Sequence, residues 1–379
     1  MHGNEHEVLM KKSLLVAEGG DHYKILEQLY HLLKDDYELE FFIIDNTRYD
    51  YTELFPSINK TNTSKTGFRG VLYFLRLLLK GWRYDIINIS TGPDGGHFTE
   101  YFRVLTFFLC CFCFRSKIVL TLRNPYNYLE SSPGLLNYLR AKSVSYLKYF
   151  TFETKTMRKT FIEVTGRSDI KCAITYDRYP DVSVGYDKRV TKQREPSDKI
   201  RVGLLGGVNP LRRDYESVMA ALREMSLETR AKYEIWTLGG CAGGVEHPVI
   251  SEMSKLVSVN VVAGMLSEEL LAQRAMQCDV FLAPLSDDKE YGTLHGSGSF
   301  GDCVYFQKTI IIPRRVDPND EFEAVAFYYS TAKELQQVLE ETDFSLSHTS
   351  ENFYEQFSTT HVLGAIHDDL GCSGIKKAN

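Results

Sequence analysis

With 379 residues, 43% hydrophobic and 25% charged, the chain is long enough for two separately cored domains and has an ordinary globular balance. A formal net charge of -6 excludes binding to nucleic acid by broad phosphate neutralisation, so no nucleic acid is expected as a partner. The opening MHGNEHEVLMKKSLLVAEGG does not read as a signal peptide, because its apolar run is short and ends in acid and glycine. No stretch reaches the roughly 18 apolar residues of a spanning helix; Val104 to Phe114 comes nearest and carries Cys110, Cys111 and Cys113. These features predict reduced core thiols in a cytoplasmic protein, with a place at the inner face of the cell membrane left open. No paired cysteines with histidine partners occur at zinc spacing, so no metal site is expected.

In chain order, short apolar runs alternate with longer amphipathic segments, the pattern of βα units and parallel sheets. Strands are predicted at Lys12 to Glu18, Leu39 to Asp45, Tyr84 to Ser90, Lys117 to Leu122 and Tyr149 to Thr154. Helices are predicted between them at Tyr23 to Leu33, Phe68 to Lys80, Phe98 to Phe114, Leu135 to Tyr146 and Thr156 to Glu163. The polar, proline-containing stretch 182–199 reads as a linker between a domain over 1–181 and a second over 200–350. Strands of the second series fall at Ile200 to Gly206, Tyr233 to Gly239, Val259 to Gly264, Asp279 to Pro284 and Thr309 to Pro313. Helices start near Arg213, Pro248, Ser267, Ser299 and Thr331. Residues 351–379 give a last helix and, after Gly364, a polar tail expected to be poorly ordered. The fold class is therefore α/β, with two Rossmann-like doubly wound parallel-sheet domains facing a central cleft. Ligands of such sheets bind beyond the carboxyl ends of the strands.

The segment Ala283 to Pro313 carries the most chemistry. A strand ends at Pro284, an acidic glycine-rich loop follows, and a helix starts near Ser299. Gly296, Gly298 and Gly301 let backbone approach a ligand, and free amides at the helix start favour a diphosphate. Asp302, in the first turn, suits ribose hydroxyls. The plainer reading is a loop with a capped helix.

This segment resembles the donor-binding element of GT-B glycosyltransferases, above all the large retaining group with the E-x7-E motif. Pro284, Leu285 and Ser286 match the strand end, Glu290, Tyr291 and Gly292 the first acid group, and Asp302 the second acid. Glu290 and Asp302 stand further apart than in the motif, and the second acid is Asp. Gly203 to Leu222 is similar to the first strand, glycine loop and helix of the donor domain. In the family a basic residue there binds the donor diphosphate; Arg212 and Arg213 occupy that place, after Gly207. Two cations at a helix N-terminus oppose the macrodipole, an arrangement that an anion relieves. Val259 to Leu285 resembles the run in which Gly264 contacts the base.

The first half matches less closely. Glu18, Gly19 and Gly20 follow the first strand, where the family has a glycine turn near the phosphates. STGPDGGHF, Ser90 to Phe98, supplies Asp94 and His97 as candidates for activating an acceptor. Arg123 and Asn124 stand where the family often has a histidine pair, and Glu153 to Lys159 reads equally as a cleft segment or a simple cap. Phe68 to Arg83 mixes apolar residues with Arg69, Arg76, Lys80 and Arg83; it reads as a peripheral membrane contact or as a buried helix with snorkelling cations.

The resemblance implies a glycosyltransferase with a nucleotide-diphosphate sugar as substrate, no separate cofactor, and a glycan or lipid-linked acceptor. Two alternatives share the architecture: a sugar-nucleotide 2-epimerase, and a non-catalytic nucleotide-sugar binder.

Overall fold

The computed structural model describes residues 12–18, 23–44, 59–61, 68–90, 92–93, 98–129, 134–181, 197–344 and 351–370. The predicted Asp94, His97 and Gly20, and most of the predicted linker, lie outside them.

Contacts divide the chain into two units. The first comprises Met1–Phe152, Thr165–Ala173 and Ala365–Asn379; the second comprises Glu153–Val164 and Ile174–Gly364.

The first unit is built on a seven-stranded sheet of order β3-β2-β1-β4-β5-β6-β7. The strands are β1 (Lys12–Glu18), β2 (Tyr37–Ile44), β3 (Asn59–Thr61), β4 (Ile86–Ile89), β5 (Ile118–Leu122), β6 (Tyr149–Phe152) and β7 (Lys171–Ile174). Pairing is parallel from β3 through to β6. In β1, Leu14, Leu15, Val16 and Ala17 are all buried, as a strand covered on both faces requires. The connecting helices are α1 (Tyr23–Leu33), α2 (Phe68–Lys80), α3 (Phe98–Cys113) and α4 (Leu135–Ser145); the next helix, α5 (Lys155–Thr165), belongs to the second unit but for its last residue.

The second unit has a fully parallel six-stranded sheet of order β10-β9-β8-β11-β12-β13. Its strands are β8 (Ile200–Leu205), β9 (Tyr233–Leu238), β10 (Ser258–Asn260), β11 (Val280–Leu282), β12 (Ile310–Pro313) and β13 (Ala326–Tyr329). The helices are α6 (Tyr215–Glu224), α7 (Leu227–Ala231), α8 (Pro248–Ser254), α9 (Glu268–Gln277), α10 (Gly298–Phe306), α11 (Ala332–Glu341), α12 (Glu351–Glu355) and α13 (Thr359–Leu370), which passes into the first unit at Ala365. Val202, Leu204, Val280, Leu282 and Ile311 of the central strands pack with Val218, Leu222, Ile250 and Leu335 of the helices in one core. Capping sets the helix starts: Asp214, Ser226, Ser267 and Thr331 each accept a backbone N–H of the first turn.

Both sheets reverse their order beside their first strand, β1 next to β4 and β8 next to β11. Such a switch point opens a crevice at the carboxyl ends of the strands.

One expectation differs from this picture. The predicted polar tail after Gly364 is instead helical as far as Leu370, because buried Val362 and Ile366 continue one apolar stripe through the glycine. The start of α5 is occupied within the second unit. The Glu321 carboxylate accepts the backbone N–H groups of Lys155 at 3.0 Å and Thr156 at 3.1 Å, which caps that helix start.

Candidate functional site

The site begins with a close approach of two glycine turns. β8 ends in Gly206 and Gly207, and the neighbouring β9 ends in Gly239 and Gly240. Gly206 has φ of +80°, a left-handed conformation that glycine adopts without strain. A Cβ on Gly239 would stand 2.2 Å from the Gly206 backbone, so a side chain there would force the turns apart. Val208 N–H donates to the Gly240 carbonyl at 2.8 Å, and the Tyr215 hydroxyl donates to the Gly207 carbonyl at 3.4 Å. Burial pushes the Tyr215 hydroxyl up to about 12, so it stays a donor at neutral pH.

From this turn the chain crosses to the other side of the switch point. Asp214 N–H donates to the Pro284 carbonyl at 2.7 Å, Ser286 N–H donates to the Arg212 carbonyl at 3.3 Å, and Arg213 forms a bridge with Leu285. The loops after β8 and β11 are thereby tied together over the crevice, and Arg213 is the residue at the tie.

Arg213 is only 8% exposed. Its Nε donates to the Leu205 carbonyl at 3.3 Å and one terminal nitrogen donates to the Arg212 carbonyl at 3.1 Å. The other terminal nitrogen lies where a Cβ on Gly206 would be, 2.1 Å from that point, so the glycine makes room for the guanidinium. The Tyr291 ring faces the guanidinium at 5.9 Å. Among the described residues no carboxylate is within ion-pair distance of Arg213. Burial lowers its pKa, and the Arg212 charge adds to the lowering. A buried cation held by carbonyls and an aromatic face is a site that gains from an anion.

Two further guanidiniums share the segment. Arg212 is exposed and its Nε donates to the Tyr291 hydroxyl at 2.9 Å. Arg315, directly after β12, donates to the Leu285 carbonyl and pairs with the exposed Asp287. Burial lowers the Arg315 pKa as well. Sequence reasoning passed over Arg315, although a basic pair at the carboxyl end of a central strand, in IIIPRR, was a readable signal.

Glu290 is exposed and sits in the left-handed region at φ of +47°; its carbonyl closes the turn by accepting N–H groups of Thr293, Leu294 and His295. Its carboxylate makes no hydrogen bond or ion pair among the described residues. Gly298 and Ser299 open α10. Gly298 is exposed with open space where a Cβ would go, and the Ser299 Oγ is buried without a hydrogen-bond partner. Gly264, at φ of +78° and exposed, exchanges two backbone hydrogen bonds with Cys241 beyond β9.

Asp302 has a partner that the sequence did not announce. Arg178, 3% exposed in side-chain terms, pairs with Asp302 at 3.1 Å and with Glu268 at 2.8 Å. Its guanidinium also faces the Tyr305 ring at 5.0 Å. The arginine thus ties the start of α9 to the middle of α10. Arg178 stands alone in ITYDRYPD, and nothing local to it marks the role. Gly207, Arg212, Arg213 and Tyr291 are therefore brought together at the switch point, while Gly264 lies beyond β9; Gly298 and Ser299 open α10, and Asp302, expected in its first turn, lies one turn further on because the helix already starts at Gly298. Among the described residues no cluster of three His, Cys, Asp or Glu side chains forms a metal centre.

No known family's sequence profile matches the chain, and no curated protein matches it in sequence. In three dimensions it is similar to several solved proteins. Anabaena Alr3699/HepE in complex with UDP aligns at a TM-score of 0.64 and 12% identity, covering 95% of this chain and 100% of that one. The S. aureus MnaA–UDP structure aligns at 0.60 and 13% identity, covering 98% and 100%. WaaG, a glycosyltransferase involved in lipopolysaccharide biosynthesis, aligns at 0.56 and 9% identity, covering 96% and 100%. The chain has the two-domain α/β fold of the GT-B class, shared by glycosyltransferases and UDP-sugar 2-epimerases.

Proposed function

We propose that the protein is a glycosyltransferase that takes a nucleotide-diphosphate sugar on its second unit and passes the sugar to a glycan or lipid-linked acceptor in glycoconjugate assembly. The observation that carries the reading is Arg213, a buried guanidinium with no carboxylate at ion-pair distance among the described residues, placed over the switch point by the Gly206–Gly207 turn. The likeness to two UDP-bound structures supports a nucleotide as the anion. In the transfer, the bond from the sugar's anomeric carbon to the diphosphate breaks and the acceptor oxygen bonds to that carbon. The acceptor's proton passes to a base, and the nucleoside diphosphate leaves. Arg213, Arg212 and the amides at the start of α10 act where negative charge grows on the leaving group. We assign the base to Asp94 or His97, which follow β4 in sequence. Glu290 and Asp302 are assigned to the sugar and ribose side, and Gly264 to the base.

The test is thermal shift against UDP, TDP, GDP and their sugars, followed by product analysis with and without an acceptor extract. Stabilisation by a nucleotide, with sugar transferred only when acceptor is present, is the expected result. Epimerised donor without acceptor would make the protein an epimerase, and no stabilisation by any nucleotide would end the reading.

A further inference from the structure

The first unit carries a face that its own core does not explain. Helix α3 lies between α2 and α4. One side of α3 is core: Val104, Phe107, Cys110, Cys111 and Phe114 at or just past its end are buried. Its other side is equally apolar yet exposed, through Tyr101, Phe102, Leu105, Leu109 and Phe112. An ordinary surface helix would present charge there. The exposed apolar face continues onto α2 and the turn after it, where Leu79 is 71% and Trp82 66% exposed, and onto α4 through Leu135 and Tyr138. Single exposed apolar side chains need no cause, but a layer of three adjacent helices exposing them together does.

We propose that this α2–α3–α4 face docks on an anionic lipid surface. Charge decides the occupant. Arg76, Arg83 and Arg115 are exposed around the patch, and the sequences of the three helices hold six lysines and arginines against one acid, Glu100. In a chain of net charge -6 this is a local excess of cations. A second copy is the poorer occupant, because a two-fold contact would bring an excess of cations on one face against the same excess on the other. A lipid surface offers anionic headgroups to the rim and acyl chains to the centre. Trp82, Tyr101 and Tyr138 add rings that suit the headgroup boundary. The contact is peripheral, since among the described residues no helix is long and apolar enough to cross a membrane. The centre of the surface is α3, with the cationic Phe68 to Arg83 segment at its edge. The inference does not depend on the sugar-nucleotide reading.

The experiment uses the full chain and vesicles of phosphatidylcholine, with or without phosphatidylglycerol as a quarter of the lipid, at about 0.01 M and about 1 M salt. The protein should sediment with the anionic vesicles at low salt and at least about tenfold more weakly with neutral vesicles or at high salt. Phe102→Glu with Phe112→Glu should lower partitioning at least about tenfold while leaving Tm unchanged. Trp82 offers a readout in the unaltered protein: its emission should shift to shorter wavelength on binding, and the shift should vanish in Trp82→Phe. Three results overturn the proposal: no sedimentation with anionic vesicles at low salt, undiminished binding by the folded double variant, or an unshifted Trp82. Self-association that the double variant abolishes, with no lipid binding, would give the face to a second copy instead.

Discussion

Replacing Arg213 by methionine separates the cost of burying this cation from its use. In the free protein the change loses two hydrogen bonds from a charged donor, to the Leu205 and Arg212 carbonyls, about 1.5–3 kcal/mol each. Against that stands relief from holding an unpaired guanidinium 8% exposed, several kcal/mol of opposite sign on the order used for buried ions. The two nearly cancel, so the free variant should stay folded with a Tm within about 6 °C of wild type. Nothing cancels in the nucleotide complex. Losing a charged contact to the diphosphate costs about 2–4 kcal/mol, which is roughly a 30- to 900-fold weaker Kd. Arg213→Lys should recover part of this, because the lysine ammonium keeps the charge without the planar fork. Titration calorimetry with UDP, alongside the melting curve of the free protein, measures both halves. A folded Arg213→Met variant binding UDP within about threefold of wild type, under about 1 kcal/mol, would refute the argument.

The other predictions take different parts of the second unit. Arg178→Met should destabilise by about 3 kcal/mol in urea unfolding, because Glu268 and Asp302 are left facing each other; a loss under about 1 kcal/mol would show that the tie is idle. Glu290→Gly should raise stability by about 0.5–1 kcal/mol by relieving a left-handed residue, yet weaken UDP-sugar binding; unchanged binding removes this loop from the site. Glu321 has its pKa raised, chiefly by burial, against the backbone hydrogen bonds at the start of α5. Since its folded pKa lies above its unfolded one, its contribution is fully present below the unfolded pKa and is lost as pH rises through the folded one. Wild type should therefore gain on Glu321→Gln as pH falls from neutral to the ordinary carboxylate range, and no gain on reaching that range contradicts the assignment.

What the sequence made legible follows how local each cause is. The central strands of both sheets were readable because burial on both faces leaves continuous apolar runs, such as SLLVA in β1 and VGLL in β8. The strands it did not announce, β3, β7 and β13, all lie at sheet edges. β3 is three polar residues and β7 starts with exposed Lys171, so neither carries the apolar run of an interior strand. α13 was cut short at Gly364 because a glycine weakens a helix pattern along the chain. The buried Ile366 that carries the helix on is a tertiary fact.

The same distinction governs the site. Arg212 and Arg213 stood out because two cations before a helix start conflict with the helix dipole, a conflict visible within a few residues. The partners that give each arginine its meaning lie far away in sequence. Arg178 reaches Glu268 and Asp302, and Arg315 reaches Leu285 and Asp287, whereas Arg213 reaches carbonyls and an aromatic ring. Arg178 and Arg315 have their charge matched by carboxylates; among the described residues Arg213 does not. A sequence displays all three as the same letter. The fold sorts them by counter-ion, and that sorting is the ground on which we propose Arg213 as the anion-binding group.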